Sequence, residues 1–260
     1  MPLAQAGALR VFRFDLFSET PIQHGVLSRK GGVSPAPWGT LNAGATVGDD
    51  PARVAENRLR IFQSLNLDPV SAHDVWQVHS ADIVVVDAPR GEAPVVQADG
   101  MVTRSPGVTL FMRFADCVPI LLVDPVRGSI GMAHAGWVGT ARQTARQLVR
   151  TMVESCGSRP QDLRAGLGPS IAAHHYPVGQ DVVDRFESAL GPAAKAYFHT
   201  VEGRIHLDLW SANRAQLEAE GIRDVEVSGV CTACDLGLWY SHRGEGGRTG
   251  RFAALLCWNP

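Results

Sequence analysis

The chain has 260 residues, 45% of them hydrophobic, which supports a sizeable core and excludes general disorder. Lys and Arg total 24 against 26 Asp and Glu, a formal charge of -2. Non-specific binding to nucleic acid or to an anionic membrane surface needs a basic excess, so neither is expected as a partner.

With 27 Gly and 16 Pro, strands joined by tight turns are a better expectation than a helical bundle. Asp50-Pro51 opens the first clear helix, with proline at its first position and apolar Val54, Leu59, Ile61, Phe62 and Leu65. Residues 83–86 read as a short β-branched strand, and 108–112, 118–123 and 129–133 as three buried strands. Residues 140–155 predict one amphipathic helix, with Ala145, Leu148, Val149 and Met152 on one face and Arg142, Arg146 and Arg150 on another. A strand follows at 163–167, then helices at 180–190 and from an Asp208 cap to Glu220, stopped by Gly221. Residues 225–230 and 252–258 read as closing strands. Strands and helices alternate without a strict βαβ rhythm, which predicts an α+β fold. No linker composition or repeat marks a boundary, so one domain is expected over residues 1–260, with residues 1–10 a candidate disordered lead.

No apolar run approaches the ~20 residues of a spanning helix. Arg10, Arg13 and Asp15 interrupt the first fifteen residues, unlike a signal peptide, so a cytoplasmic location is expected. The five cysteines are an odd number in a chain too long to need staples. Reduced thiols are expected, with ligand or nucleophile roles ahead of disulfides.

Three side chains carry the first chemical signal. His79 precedes a strand, Cys117 sits between two apolar runs, and His134 follows a strand. Imidazole and thiolate suit zinc, and three protein ligands leave a fourth position for water or substrate. Against this, a lone histidine is more often a satisfied core residue, and free cysteine is among the most buried types. A second signal is cationic: Ser28-Arg29-Lys30-Gly31-Gly32, Arg58 on the first helix, and Arg243, Arg248 and Arg251 in a glycine-rich stretch. Arginine forks suit phosphate or carboxylate, although solvated loops have the same composition. Gly139-Thr140, placed at a helix start close to His134, adds a candidate anion-binding terminus. Cys231-Thr232-Ala233-Cys234 invites a second zinc or a redox pair, but the only nearby further ligands in sequence are His242 and Cys257, and no helix start follows.

Taken in order, the segments resemble a known family. They include His24-Gly25, Ser28-Arg29, Gly31-Gly32-Val33-Ser34, Leu41-Asn42, Val47-Gly48-Asp49-Asp50-Pro51 and Glu56-Asn57-Arg58. Gln77-Val78-His79, Ala98-Asp99-Gly100, Ala115-Asp116-Cys117-Val118-Pro119, His134-Ala135-Gly136-Trp137, Gly168-Pro169-Ser170-Ile171 and Thr249-Gly250-Arg251 continue the set. The chain resembles the laccase-domain family, also described as polyphenol-oxidase-type purine nucleoside phosphorylases. The resemblance implies a four-layer α-β-β-α sandwich of antiparallel sheets and one zinc held by His79, Cys117 and His134, with copper the other metal to consider. It implies a nucleoside and phosphate as small-molecule partners: phosphorolysis of adenosine, inosine and methylthioadenosine, and deamination of adenosine. Ser28, Arg29, Asn42, Arg58 and Gln77 are carried over as substrate or phosphate contacts, and Cys117 and Asp116 as catalytic. Val138 stands where the family has Arg after His-Ala-Gly-Trp, which leaves anion recognition to Arg29, Arg58 or Arg142. Phe114, Pro177 and Gly244 are further departures.

The mechanism expected from these residues pairs Lewis-acid chemistry at the His/Cys group with Asp116 as proton carrier or orienter. Two alternatives remain. One is a Cys-His amidohydrolase, with Cys117 as nucleophile, acting on cell-wall peptide precursors; the other is copper-linked polyphenol oxidation. A purely structural metal ranks last, because a chain of this size has core enough without one.

Overall fold

The computed structural model describes residues 3–259. In chain order its elements are β1 (Ala4–Ala6), β2 (Leu9–Phe12), β3 (Ile22–Leu27), α1 (Pro51–Ser64), β4 (Ala72–His73), β5 (Ile83–Val85) and β6 (Gly100–Thr103). Then come β7 (Thr109–Phe114), β8 (Val118–Asp124), β9 (Ser129–Ala135), α2 (Trp137–Ala141), α3 (Thr144–Cys156), β10 (Arg164–Leu167) and α4 (Gln180–Leu190). The remainder is β11 (Phe198–Val201), β12 (Arg204–Leu207), α5 (Leu209–Ala219), β13 (Asp224–Val227) and β14 (Phe252–Trp258).

Strand β8 shows why the apolar runs fold as they do. All seven of its residues are buried, so the run reads as continuous rather than alternating. Its side chains still alternate in direction. Ile120 and Leu122 join a cluster with Leu148, Met152, Phe186 and Leu217 of the helices, whereas Leu121 and Val123 join one with Met112, Phe114 and Leu256 of the other sheet. A third cluster sets Ile61 and Phe62 of α1 against Val11, Phe111 and Leu255. The helix is started by the Asp50 side chain, which accepts from Ala52 N at 2.8 Å, with Pro51 following.

The two main sheets have strand orders β1-β2-β3-β14-β7-β4 and β13-β10-β8-β9-β6-β5, and β11-β12 is a separate hairpin. This is a mixed α+β fold. The sheets are not purely antiparallel: β4 with β7, β10 with β13 and β5 with β6 pair in parallel. One strand of each pair, β4, β13 or β5, lies at a sheet edge, and a long connection rather than a hairpin separates it from its partner, as parallel pairing requires. Residues 3–10, expected as part of a disordered lead, instead supply β1 and the start of β2, which pair with each other and extend the first sheet; Met1 and Pro2 lie outside the described residues.

The single helix expected over 140–155 is two. Gln143 adopts a left-handed conformation (φ 63°) between α2 and α3, breaking the helical run there. Because α2 begins at Trp137, only Gly136 separates it from the end of β9. Among the described residues, no helix is long and apolar enough to cross a membrane.

Candidate functional site

His134 is carried by β9, opposite Pro119 of β8, and Cys117 lies one residue before β8 begins. The ladder between these two central strands therefore sets imidazole and thiol side by side. His79 arrives from the loop between β4 and β5. The ligand atoms of all three lie within 4.8 Å of one another, and the two imidazole rings are 5.0 Å apart at 68°.

Asp99 organises this group. Its carboxylate is fully buried just before β6. Oδ1 accepts from His134 Nδ1 at 2.9 Å, and Oδ2 accepts from the backbone N–H of Val78 at 3.0 Å and of Ser80 at 2.6 Å. The two amides flank His79, whose φ of 59° is left-handed, so one carboxylate fixes an unusual backbone turn and a ring tautomer together. An ionised carboxylate only accepts, so the proton of His134 sits on Nδ1 and Nε2 is left for the thiol or an ion. Burial works against charge on Cys117 and His134. Their mutual attraction, with help from His79 on the thiol and Asp99 on the imidazole, outweighs it, drawing the thiol pKa down and the imidazole pKa up. Burial likewise opposes ionisation of Asp99, but its hydrogen bonds hold it below the usual carboxylate range. Gly136 is required by close approach: a Cβ there would stand 2.6 Å from Cys117 Sγ.

The three ligand candidates open onto a cavity of about 810 Å³. That volume lies within the range of small-molecule sites, roughly 300–1,000 Å³. Trp76, Trp137 and Tyr176 offer aromatic surface to it. Arg58, Arg90 and Arg113 also line it, gathered about the single carboxylate of Asp74. Arg90 Nε and Arg113 Nη1 reach Asp74 at 2.6 and 2.7 Å, and Arg58 stands off at 4.0 Å. Burial first, then the charges of Arg113 and Arg90, lowers the Arg58 pKa to about 10 against the help of Asp74. Three guanidinium groups share one counter-charge, which leaves room for an anion.

The remaining sequence candidates divide. Gln77 lines the cavity, and its side-chain amide clasps Arg113: Nε2 donates to Arg113 O at 2.7 Å and Oε1 accepts from Arg113 N at 3.0 Å. Asp116 lines it too, left-handed at φ 82°, with Oδ1 accepting from Thr232 Oγ1 at 2.7 Å and Oδ2 from Arg243 N at 2.6 Å. Ser28, Arg29 and Asn42 are not among the lining residues. Ser28 is fully buried, and its hydroxyl accepts from Lys30 N. Arg29 donates to Gly39 O, Leu236 O, Trp239 O and Glu245 Oε1, with Nη2 3.4 Å from Pro37 O, and lies over the Tyr240 ring, so its guanidinium is committed to the protein away from the cavity. Asn42 is spent on Asp49, Gly44 and the backbone N–H of Arg251. Arg142 is exposed and donates to the carbonyl of His79, bracing the ligand loop from outside. Helix α2 starts at Trp137 and has five residues, so the expected helix terminus at Gly139-Thr140 does not exist.

Sequence reasoning gave no role to Asp99, Asp74, Arg90 or Arg113. A signal existed for Asp99 alone, in the Ala98-Asp99-Gly100 segment.

Residues 23–259 match the family model described as multi-copper polyphenol oxidoreductase laccase. The chain belongs to this laccase-type family. A relative from Deinococcus radiodurans, named purine nucleoside phosphorylase, is 41% identical over 237 residues, covering 90% of this chain and 88% of the relative. Bacillus subtilis YlmD, which carries the same enzyme name, is 36% identical over 241 residues, covering 89% and 87%. The crystal structure of YlmD from Geobacillus stearothermophilus superposes with a TM-score of 0.91 at 34% identity, covering 99% of this chain and 98% of that one. The laccase-type fold thus extends over nearly the whole chain, site included.

Proposed function

We propose that the chain is a zinc-dependent purine nucleoside phosphorylase that cleaves adenosine, inosine and methylthioadenosine and also deaminates adenosine. One observation carries the reading. The His79/Cys117/His134 group and the Arg58/Arg90/Arg113 cluster open into the same aromatic-lined cavity. The relatives named purine nucleoside phosphorylase support it.

The donor set fits a zinc ion: two imidazoles and a thiol, with one imidazole held in the correct tautomer by a buried carboxylate. A divalent ion held by His79, Cys117 and His134 would supply Lewis-acid chemistry. The chain's own residues do the rest. Arg58 and Arg113 bind the phosphate dianion and hold one oxygen toward the anomeric carbon, so attack begins from an oriented pair. The phosphate oxygen bonds to the anomeric carbon as the glycosidic C–N bond breaks; its electrons go to the purine, which lies against Trp137 and Tyr176, and the proton of the hydrogenphosphate passes to the departing base through water. Asp116, with both oxygens engaged, acts as the residue that fixes the turn bearing Cys117. Expulsion of water by the filled cavity strengthens each of these contacts. In the same reading, the three apolar clusters are the interfaces of a four-layer α-β-β-α stack.

The test is an assay of adenosine with phosphate, following adenine and ribose 1-phosphate by chromatography and ammonia in parallel. His79→Ala should abolish product formation. Arg58→Ala should raise the KM for phosphate by roughly 10- to 100-fold, the loss of a charge-assisted contact of about 1.5–3 kcal/mol. Full activity in His79→Ala would reject the assignment.

A second reading rests on the row Cys117, His134, Asp99, whose order matches a nucleophile, base and orienting carboxylate. It makes the chain an amidohydrolase of cell-wall peptides, inactivated by a thiol alkylator and indifferent to chelators. A metal-dependent enzyme shows loss with chelators and restoration by added zinc.

A further inference from the structure

Cys231 and Cys234 have companions that their neighbourhood in the sequence does not reveal. The His174 and His175 side chains stand beside them, and the four ligand atoms lie within 4.8 Å of one another. Neither His242 nor Cys257 belongs to this group. We propose that His174, His175, Cys231 and Cys234 form a second metal centre: a closed, tetrahedral zinc site whose role is to hold two loops together.

The local structure explains how four side chains converge from two short segments. His174 and His175 end a 3₁₀ turn (Ala173–His175), and consecutive residues on such a turn diverge. They meet again because they use different ring atoms. His174 presents Nε2, 3.1 Å from Cys234 Sγ, whereas His175 presents Nδ1, 3.5 Å from Cys231 Sγ and 3.6 Å from Cys234 Sγ. On the second segment Cys234 N donates to Cys231 O, closing a turn that brings both sulfurs to one side. Cys231 is bridged in parallel to Ser170, so the two segments are in register before any ion binds. Cys231 Sγ also accepts from Ala172 N at 3.3 Å, which fixes the sulfur's position against the histidine segment.

Two imidazoles and two thiolates are a structural zinc set. All four tetrahedral positions are filled by protein and none is left for a substrate. Binding would release one proton from each thiol and involve no electron transfer. The soft donors select zinc over magnesium or calcium, which prefer oxygen. The group is separate from the cavity's ligand set but mechanically linked to it. Thr232, between the two cysteines, donates to Asp116 Oδ1, and Ile171 N donates to Asp116 O. Tyr176, two residues beyond His174, lines the cavity. An ion here would clamp the wall against which the Asp116–Cys117 turn rests.

The experiment is zinc stoichiometry on full-length protein, loaded with zinc and dialysed, for wild type, Cys234→Ser and His79→Ala. Cys234 and His174 are exposed, so Cys234→Ser and, as a second variant, His174→Gln should fold. Each should hold one zinc fewer than wild type. Cobalt-loaded protein should lose part of its thiolate charge-transfer intensity in Cys234→Ser, while His79→Ala keeps the two-thiolate share. Two ions in wild type, one in each variant, is the expected pattern. If wild type holds one ion that Cys234→Ser retains and His79→Ala loses, the second centre does not exist and the cavity site stands. The reverse pattern keeps the second centre and removes the first. A Cys231–Cys234 disulfide, two mass units lighter in protein purified without reductant, would also overturn the proposal.

Discussion

Asp99→Asn isolates the organising carboxylate at almost unchanged volume. The amide oxygen can still accept from Val78 N and Ser80 N, which leaves the NH₂ group facing His134 Nδ1. A donor there forces the proton of His134 onto Nε2, the nitrogen needed for an ion. Replacing three charge-assisted bonds by neutral ones costs about 1 kcal/mol each, hence roughly 2–3 kcal/mol of stability. Loss of an orienting partner of this kind lowers metal affinity about 10- to 100-fold, or some 1.4–2.7 kcal/mol. The assay is competition for zinc against a chromophoric chelator, beside thermal unfolding of the same samples. Expected are a weaker zinc affinity and a melting temperature lower by roughly 4–12 °C, at about 2–4 °C per kcal/mol. A variant that binds zinc as tightly as wild type would show that Asp99 does not set the tautomer.

Further predictions follow from other contacts. Gly136→Ala puts a methyl 2.6 Å from Cys117 Sγ, so zinc retention and activity should fall sharply with only a small shift in melting temperature; retained zinc would contradict the steric argument. Arg29→Met should cost about 1.5–3 kcal/mol by removing the charge-assisted bond to half-buried Glu245, which keeps its bonds to Ser241 N and Thr249 Oγ1, yet leave the KM for phosphate of the folded protein unchanged; a raised KM would return Arg29 to the substrate site. Burial, with Arg13 adding to it, lowers the His24 pKa from 6.5 to about 4, and its Nε2 accepts from Phe14 N. The unfolded chain therefore takes up the proton first. His24 leaves stability intact above pH 6.5, and stability falls as pH drops toward 4, by at most about 3 kcal/mol. Urea midpoints at pH 7 and pH 5 should differ less in His24→Gln than in wild type, and equal differences would refute this.

How much of the molecule was legible depends on where each element's partners lie. Strands β7, β8, β9 and β14 are visible because nearly all their residues are buried, so hydrophobicity alone marks them. The two-residue β4 and the half-exposed hairpin β11-β12 carry no such run. The break at Gln143 is hidden because Ala141, Ala145 and Leu148 keep helical spacing across it. At the site, His79, Cys117 and His134 stand out as residue types with metal chemistry. Arg29 misleads for the opposite reason: its loop has the composition of a ligand cradle, and two of the carbonyls that occupy it, those of Leu236 and Trp239, come from residues about 200 positions away. His174 and His175 escape notice for the same cause, since they lie 56 to 60 positions from their cysteines.

Strand β14 follows every other strand in the sequence, yet it lies between β3 and β7 in the interior of its sheet. Without β14, β3 and β7 would each present an unpaired edge. Arg251, a wall of the cavity, immediately precedes it. A nascent or nicked chain lacking this strand would be both unclosed and prone to pair with a stranger's edge.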